Sequence, residues 1–551
     1  MQELQLQLAW NRLLAIVEEQ AQVLMRTAFS TVVREAGDLS AGVFNPAGDM
    51  LAQAVTGTPG HVNSMAAAVA KFLDKFPLAS LQPGDVLLTN DPWDGTGHLN
   101  DFTVVTPVFR ARQCIALFAS TSHIADVGGR GFGPDANDVF EEGLRIPISY
   151  LFKGGQRNDV LLEILLANVR DPLVAQGDLY SLTACNDSGA AALLDMMKDL
   201  SLSDLDELGE AIIRRSDKAM REQIAGLPEG HYHYAMTVDG YAEPVEIKAL
   251  MQIRNGRITL DFAGSSGPSA KGINVPLAYT QAYASFGVRC LVGNEIPNNA
   301  GSLAAIEVRA PEDCLLNACS PRAVSARHSI GQMLPDVVLG CLAQVLPDVV
   351  PAEGASCIWN PVFMHDLSAA GGQTFVINPI FNGGTGARPH KDGLSTTAFP
   401  SGVRTTSTEV NEVTSPLVFW CKEYTPDSGG PGQFRGGLGQ TIRVTHRDSQ
   451  PFVISKMFDR IDHPARGRAG GGAGGAGAVM LELADGTVQH LAGKGREQVP
   501  AGAALVLKTP GGGGFGLPQE RLEALRQADL QAGLVENSSG SDILAYTGGV
   551  D

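Results

Sequence analysis

Apolar positions early in the chain fall at helical spacing: Leu6, Trp10, Leu13, Leu14, Val17, Ala21, Leu24 and Met25 share one face, leaving Glu18, Glu19 and Gln20 for the other. That pattern predicts one long amphipathic helix over residues 1–28. Apolar runs at 41–44 and 51–54 flank Asn45-Pro46-Ala47-Gly48-Asp49, whose residue types favour a turn, so a hairpin is expected there. Helical spacing returns over 64–76. From Val86 the pattern becomes β, with strands predicted at 86–89, 102–109 and 114–121, the last two joined by a short loop at 110–113. A polar, glycine-rich connection covers 126–138. Leu208, Ile212, Ile213, Met220 and Ile224 form a helical stripe over 204–227 that stops at Pro228, which marks a boundary. Alternating strands follow over 231–263, then helices near 278–292 and 329–345. Beyond 350 the expected strands are short and broken by glycine clusters at 383–386, 428–439, 467–477 and 510–516.

The sum is an α+β chain of several domains: 1–228 with a β-hairpin at its heart, a central α+β domain over 229–350, and a glycine-rich, β-containing region over 351–551. Length agrees, since 551 residues exceed what one hydrophobic core fills. The 64 glycines and 31 prolines fit many turns and irregular loops. The glycine clusters read as tight turns using positive φ, because none matches a phosphate loop and Gly493-Lys494-Gly495 lacks the spacing. No ATP site is therefore expected in this chain. Charge narrows the partners: 41 basic against 59 acidic residues give −18, which disfavours nucleic acid and anionic membrane. Eight scattered cysteines without a CxxC pair, no signal-peptide pattern and no long apolar run predict a reduced, cytoplasmic protein.

Chemistry concentrates in Asn90-Asp91-Pro92-Trp93-Asp94-Gly95-Thr96-Gly97-His98-Leu99-Asn100-Asp101 and in Ser122-His123-Ile124-Ala125-Asp126. Each half holds an HxxD, a weak signal alone. A hairpin turning at the midpoint of 110–113 pairs residues whose numbers sum to about 223, so Asp101 faces Ser122 and lies next to His123. Both segments then meet at the open end of one ribbon. Two imidazoles and a carboxylate suit zinc, manganese or iron with a position left for water. A metal-free His-Asp hydrogen-bond network closing the sheet end explains the same spacing. Residues from elsewhere could complete the site. Arg34-Glu35-Ala36-Gly37-Asp38 offers two carboxylates, and His61 could carry a proton, although a salt bridge for Glu35 and a turn role for His61 are equally compatible with local sequence. Cys314 and Cys319 read as buried small hydrophobes, and His231 and His233 as a half-exposed strand end. No GxSxG elbow is present.

Taken together, residues 35–40, Gly60-His61 to Met65, the block ending His98-Leu99-Asn100-Asp101, His123 with Gly128-Gly129, Glu142-Gly143-Leu144-Arg145-Ile146-Pro147, and the glycine-rich stretch from Asp427 to Gly439 resemble the hydantoinase B / 5-oxoprolinase family. That family includes the B subunit of ATP-dependent N-methylhydantoinase, caprolactam-type lactamases and the acetone carboxylase alpha subunit. The likeness runs over nearly the whole chain. It departs at Gly95-Thr96-Gly97, where many members have Gly-Gly-Thr, and at Ala36, where arginine is usual, which leaves Glu35 and Asp38 as alternative ligands. The resemblance implies one divalent ion held by Glu35, His98, Asp101 and His123. It further implies a separate A-type subunit that binds ATP and phosphorylates the carbonyl of a cyclic amide. A hetero-oligomer that opens hydantoin, 5-oxoproline or lactam rings is then expected, with the ion activating water and His61 or Asp126 handling the proton. The alternatives are a subunit of a ketone carboxylase and a non-catalytic scaffold.

Overall fold

The computed structural model describes residues 3–56, 58–365 and 375–536. Helix Glu3–Thr27 forms as its apolar stripe predicts, with Leu13, Val17 and Leu24 fully buried. It packs with helix Pro172–Asp199 on one face of a seven-stranded antiparallel sheet, while helix Pro59–Lys75 covers the other. In spatial order the strands are Met50–Gln53, Leu39–Phe44, Gln113–His123, Asp101–Arg110, Val86–Thr89, Ser149–Lys153 and Gln156–Arg157. Burial on both faces explains the continuous apolar runs. Val104 and Phe118 point toward the two-helix side, and Val105 and Leu117 toward the single helix.

The central hairpin carries one irregularity that matters. Arg110 pairs with Gln113 and Phe109 with Cys114, and a bulge between Val108 and Phe109 then advances the register by one. Asp101 therefore lies directly opposite His123, not opposite Ser122 as a regular ribbon would give. On the other side of the same strand, Leu39 pairs with Ser122 and the His123 N–H reaches the Asp38 carbonyl at 3.3 Å. Asp38, His123 and Asp101 thus sit side by side across three strands.

The second sheet holds Gly230–Val238, Val245–Arg254 and Arg257–Asp261 as an antiparallel meander, with Ile306–Arg309 parallel at its edge. Helices Leu277–Arg289 and Leu334–Leu342 pack on it to form a second core, to which Phe132, Met220 and Ile224 also contribute. Two further sheets of four and five strands enclose an aromatic core around Trp359, Phe363, Phe381 and Phe452. The whole is a mixed α/β, multi-domain fold. Among the described residues no helix is long and apolar enough to cross a membrane, and all eight cysteines are free thiols.

The glycine clusters differ from the expectation of positive-φ turns. Of their glycines only Gly470 and Gly516 take left-handed φ. The other segments run beside one another and bond backbone to backbone: the Gly430 N–H donates to Gly512 O at 2.8 Å, Gly512 to Gly437 O at 2.9 Å, and Gly437 to Thr385 O at 2.9 Å. Close approach is the reason for the composition, since a Cβ on Gly512 would lie 2.0 Å from the Thr385 carbonyl oxygen.

Candidate functional site

Asp101 begins its strand fully buried, and five side chains converge on its carboxylate. His98 Nε2 lies 2.6 Å from Oδ1 and His123 Nδ1 lies 3.3 Å from the same oxygen. On Oδ2, His61 Nε2 approaches to 2.9 Å, the Thr96 hydroxyl donates at 2.8 Å and the Arg327 guanidinium at 2.5 Å. Every one of these residues is at most 3% exposed. Burial opposes ionisation of Asp101, but His61, His98 and Arg327 outweigh it and hold the carboxylate well below its usual range. For His98, burial and then the Arg327 charge push the imidazole down to about 4. His61 moves the other way: burial alone would lower it, yet the charges of Asp101 and Asp38 raise it.

Each side chain arrives from a different element. His61 stands in the first turn of helix Pro59–Lys75. His98 and Thr96 lie in the loop that precedes Asp101, and His123 ends the partner strand. Gly97 adopts φ +102, and a Cβ there would meet Arg327 Nε at 2.7 Å, so glycine lets the guanidinium cross the loop and donate to the Thr96 carbonyl at 2.9 Å. Arg327 itself comes from the central core, its guanidinium 3.9 Å above the Tyr279 ring. Phe132 packs its ring against His98, His123 and His328, at centroid distances of 5.6, 4.9 and 5.6 Å.

Geometry separates the carboxylates left open by sequence. Asp38 Oδ1 lies 3.5 Å from His61 Nδ1 and accepts the Thr58 hydroxyl at 2.8 Å. Glu35 instead accepts from Arg34 Nε at 3.0 Å with its side chain 39% exposed, because it caps the short helix Thr31–Arg34 on the outer side of the turn. It does not join the cluster. Asp126 is also committed elsewhere, to Arg170 at 2.5 Å and the Gly128 N–H at 3.1 Å. His231 and His233 are exposed on strand Gly230–Val238. Sequence reasoning missed Arg327, Ser325, Phe132 and Glu142 as neighbours of the site. The local signals were an arginine following the small-residue run Ala323-Val324-Ser325-Ala326 and, for Glu142, its place in the block 142–147 that carries the family resemblance.

One atom-level feature bears on what the cluster can hold. His98 Nδ1 lies 2.9 Å from the Ser325 carbonyl, which can only accept, so Nδ1 carries a proton and the ring turns Nε2 toward Asp101 Oδ1 at 2.6 Å. Nε2 is thereby the ring atom available either to donate to Asp101 or, once deprotonated, to bind an ion beside it. His98, Asp101 and His123 each offer a donor atom within 4.8 Å of the others, and all three are buried. The donor set therefore fits a divalent ion, with Ser325 as the partner that orients one ligand.

The sequence profile of hydantoinase B/oxoprolinase matches residues 2–518. The chain belongs to this family. It is 29% identical to 5-oxoprolinase 1 of Arabidopsis thaliana, over 93% of its own length but only 42% of that protein. It is 26% identical to the putative B subunit of a D-/L-hydantoinase from a Pseudomonas species, over 92% of its length and 88% of the relative. Two solved structures share the fold. The ATP-dependent caprolactamase of Pseudomonas jessenii superposes with a TM-score of 0.86 at 22% identity, covering 97% of this chain and 95% of that one. Acetone carboxylase superposes with a TM-score of 0.86 at 19% identity, covering 97% and 78%.

Proposed function

We propose that this chain is the ring-opening subunit of a two-component, ATP-dependent cyclic amide hydrolase, acting on a hydantoin, 5-oxoproline or lactam that a separate A-type subunit has phosphorylated on its carbonyl oxygen. Family membership supports the reaction class. The Pseudomonas relative bears the name of a hydantoinase B subunit, which supports a separate partner, whereas the Arabidopsis 5-oxoprolinase is more than twice the length matched here.

The observation that carries the reading is the buried Asp101 carboxylate facing Nε2 of His98 and Nδ1 of His123, with the other ring nitrogen of His98 held by the Ser325 carbonyl. His98 Nε2, Asp101 Oδ1 and His123 Nδ1 would hold a divalent ion, zinc, manganese or iron, which when bound supplies Lewis acidity and brings water into its reactive range at neutral pH. The protein's own part is electrostatic. Arg327 and Thr96 keep Asp101 ionised and oriented, and burial of the whole cluster keeps bulk water out. Amide cleavage also needs a proton on the departing nitrogen. His61, held toward its charged form by Asp101 and Asp38, keeps that proton at Nδ1, an atom without a hydrogen-bond partner among the described residues. Asp126, the other candidate for that proton, is paired with Arg170, so this reading draws on His61.

Co-expression with an A-type subunit and a screen of hydantoin, 5-oxoproline and caprolactam for ATP-dependent product tests the proposal. The His98→Ala variant should lose ring opening while the partner's ATP binding persists; retained turnover defeats the reading. Product that forms only from a ketone with bicarbonate would replace it by a carboxylase. Less than about a tenth of an ion per purified chain would favour a scaffold.

A further inference from the structure

A second buried carboxyl group stands behind the Ser325 carbonyl that receives His98. Glu142 ends the short helix Val139–Glu142 and is 3% exposed. Its Oε1 accepts the backbone N–H groups of Val324 and Ser325, each at 2.7 Å. The carbonyl of that same Ser325 accepts from His98 Nδ1 at 2.9 Å. The helix is itself tied to this segment, since the Val139 N–H donates to Pro321 O at 2.9 Å and Asp138 bridges to Arg322. Two backbone bonds share the work of fixing the Ser325 peptide, the Ala326 N–H donating to Gly272 O at 2.7 Å and the Arg327 N–H to Val324 O at 3.0 Å, while the Ser325 hydroxyl accepts from the Gly133 N–H only at 3.5 Å. Two hydrogen bonds converging on one oxygen hold successive peptide planes more tightly than either could alone, and so aim the next carbonyl.

We infer that Glu142 is a positioning residue, setting the tautomer and orientation of His98 through the backbone of Val324 and Ser325. The inference rests on the proposed function for its catalytic meaning, but the His98 tautomer is a property of the protein alone. Glutamine retains the accepting oxygen, whereas alanine removes it and leaves the Ala326 N–H bond to Gly272 O as the main tether of the Ser325 carbonyl, so that Nδ1 faces a less closely aimed acceptor and the proton redistributes between the ring nitrogens.

The test compares the parent full-length protein with Glu142→Gln and Glu142→Ala. Histidine side chains are labelled with 15N, and the His98 signals are assigned by their loss in His98→Gln. The parent and Glu142→Gln should show a proton on Nδ1, and Glu142→Ala a mixture of tautomers. Zinc affinity, read by competition with a chromogenic chelator, should fall about 10–100-fold in Glu142→Ala and stay within about threefold in Glu142→Gln. An unchanged tautomer and affinity in Glu142→Ala overturns the inference, as does an equal loss in Glu142→Gln. Should the alanine variant fail to fold, Glu142→Asp, which retracts the oxygen by one methylene, must show the tautomer change; a parent-like signal there is equally fatal. The tautomer readout needs no ion, so a parent that binds no zinc would defeat the proposed metal chemistry while the NMR comparison still decides the role of Glu142.

Discussion

The Asp101 carboxylate neutralises an arginine that has no water to turn to, as Arg327 is 2% exposed. In the Asp101→Asn variant that guanidinium would stay buried without its counter-charge, a situation that destabilises by about 3–5 kcal/mol. Urea unfolding should show a loss of this size, and a loss below about 1 kcal/mol, the scale of an exposed pair, would contradict the burial argument. Glu142 gives a pH dependence of opposite character. Burial pushes its carboxyl up from 4.5 to about 8, against the pull of its two N–H partners. A folded-state value above the unfolded one contributes stability that is complete below pH 4.5 and lost as pH rises toward 8. Glu142→Gln removes the titration, so its urea midpoint relative to the parent should climb between those values and then level off. A flat difference across that range would refute the assignment. At this scale the sequence showed His98, Asp101 and His123, because two HxxD segments flank one hairpin. Arg327 and Ser325 escaped because they lie more than 200 positions further along the chain, and spacing carries no information about such distances.

Among elements, the helix pair over the seven-stranded sheet is fastened by polar groups as well as by apolar packing. The Gln20 amide donates to Asn186 Oδ1 at 2.8 Å and to the Ala119 carbonyl at 3.1 Å, while Asn186 donates to the Val104 carbonyl and the Thr106 hydroxyl at 3.2 Å each. Both residues are fully buried. Asn186→Leu should therefore cost about 1–3 kcal/mol for each group left unpaired, but Gln20→Leu combined with Asn186→Leu should recover part of the loss, because removing both partners of a buried bond is milder than removing one. Strictly additive losses in a double-mutant cycle of urea midpoints would show that the two amides act separately. These same polar positions explain what periodicity did and did not show. The helix Glu3–Thr27 announces itself by a clean apolar stripe. Pro172–Asp199 does not, because Gly177, Asp178, Ser181, Asn186 and Gly189 stand on its buried face. The hairpin was legible to within one residue, and the missing residue is the bulge at Val108, which the alternation of a strand cannot reveal when both sheet faces are apolar.

Across the whole molecule, regions of different construction are joined: a helix-covered sheet and its flanking segments supply the histidines and Asp101, the central core supplies Arg327 and Ser325, and a lattice of glycine backbones ties together the last third of the chain. Composition disclosed that glycine mattered in the last third, but not why. Turn formation and lattice packing call for the same residue, and only contacts between distant segments distinguish the two. The distinction can be measured. Gly512→Ala keeps an ordinary backbone conformation, so a turn-only role predicts little change, within about 0.5 kcal/mol for a substitution without steric conflict. In the lattice the new methyl would stand 2.0 Å from Thr385 O and 2.7 Å from Gly386 N, both backbone atoms that cannot swing aside. Overpacking of this kind costs about 1–3 kcal/mol or more, and the hydrogen bonds of Gly512 to Gly437 and Gly430 would stretch with it. Gly267→Ala is the matched control, with nothing within 4 Å of its added carbon and no left-handed φ. Thermal unfolding of the two variants beside the parent should therefore show Gly512→Ala clearly destabilised and Gly267→Ala unchanged; equal midpoints would mean the clusters can open to admit side chains, and that their glycine content has some origin other than close backbone contact.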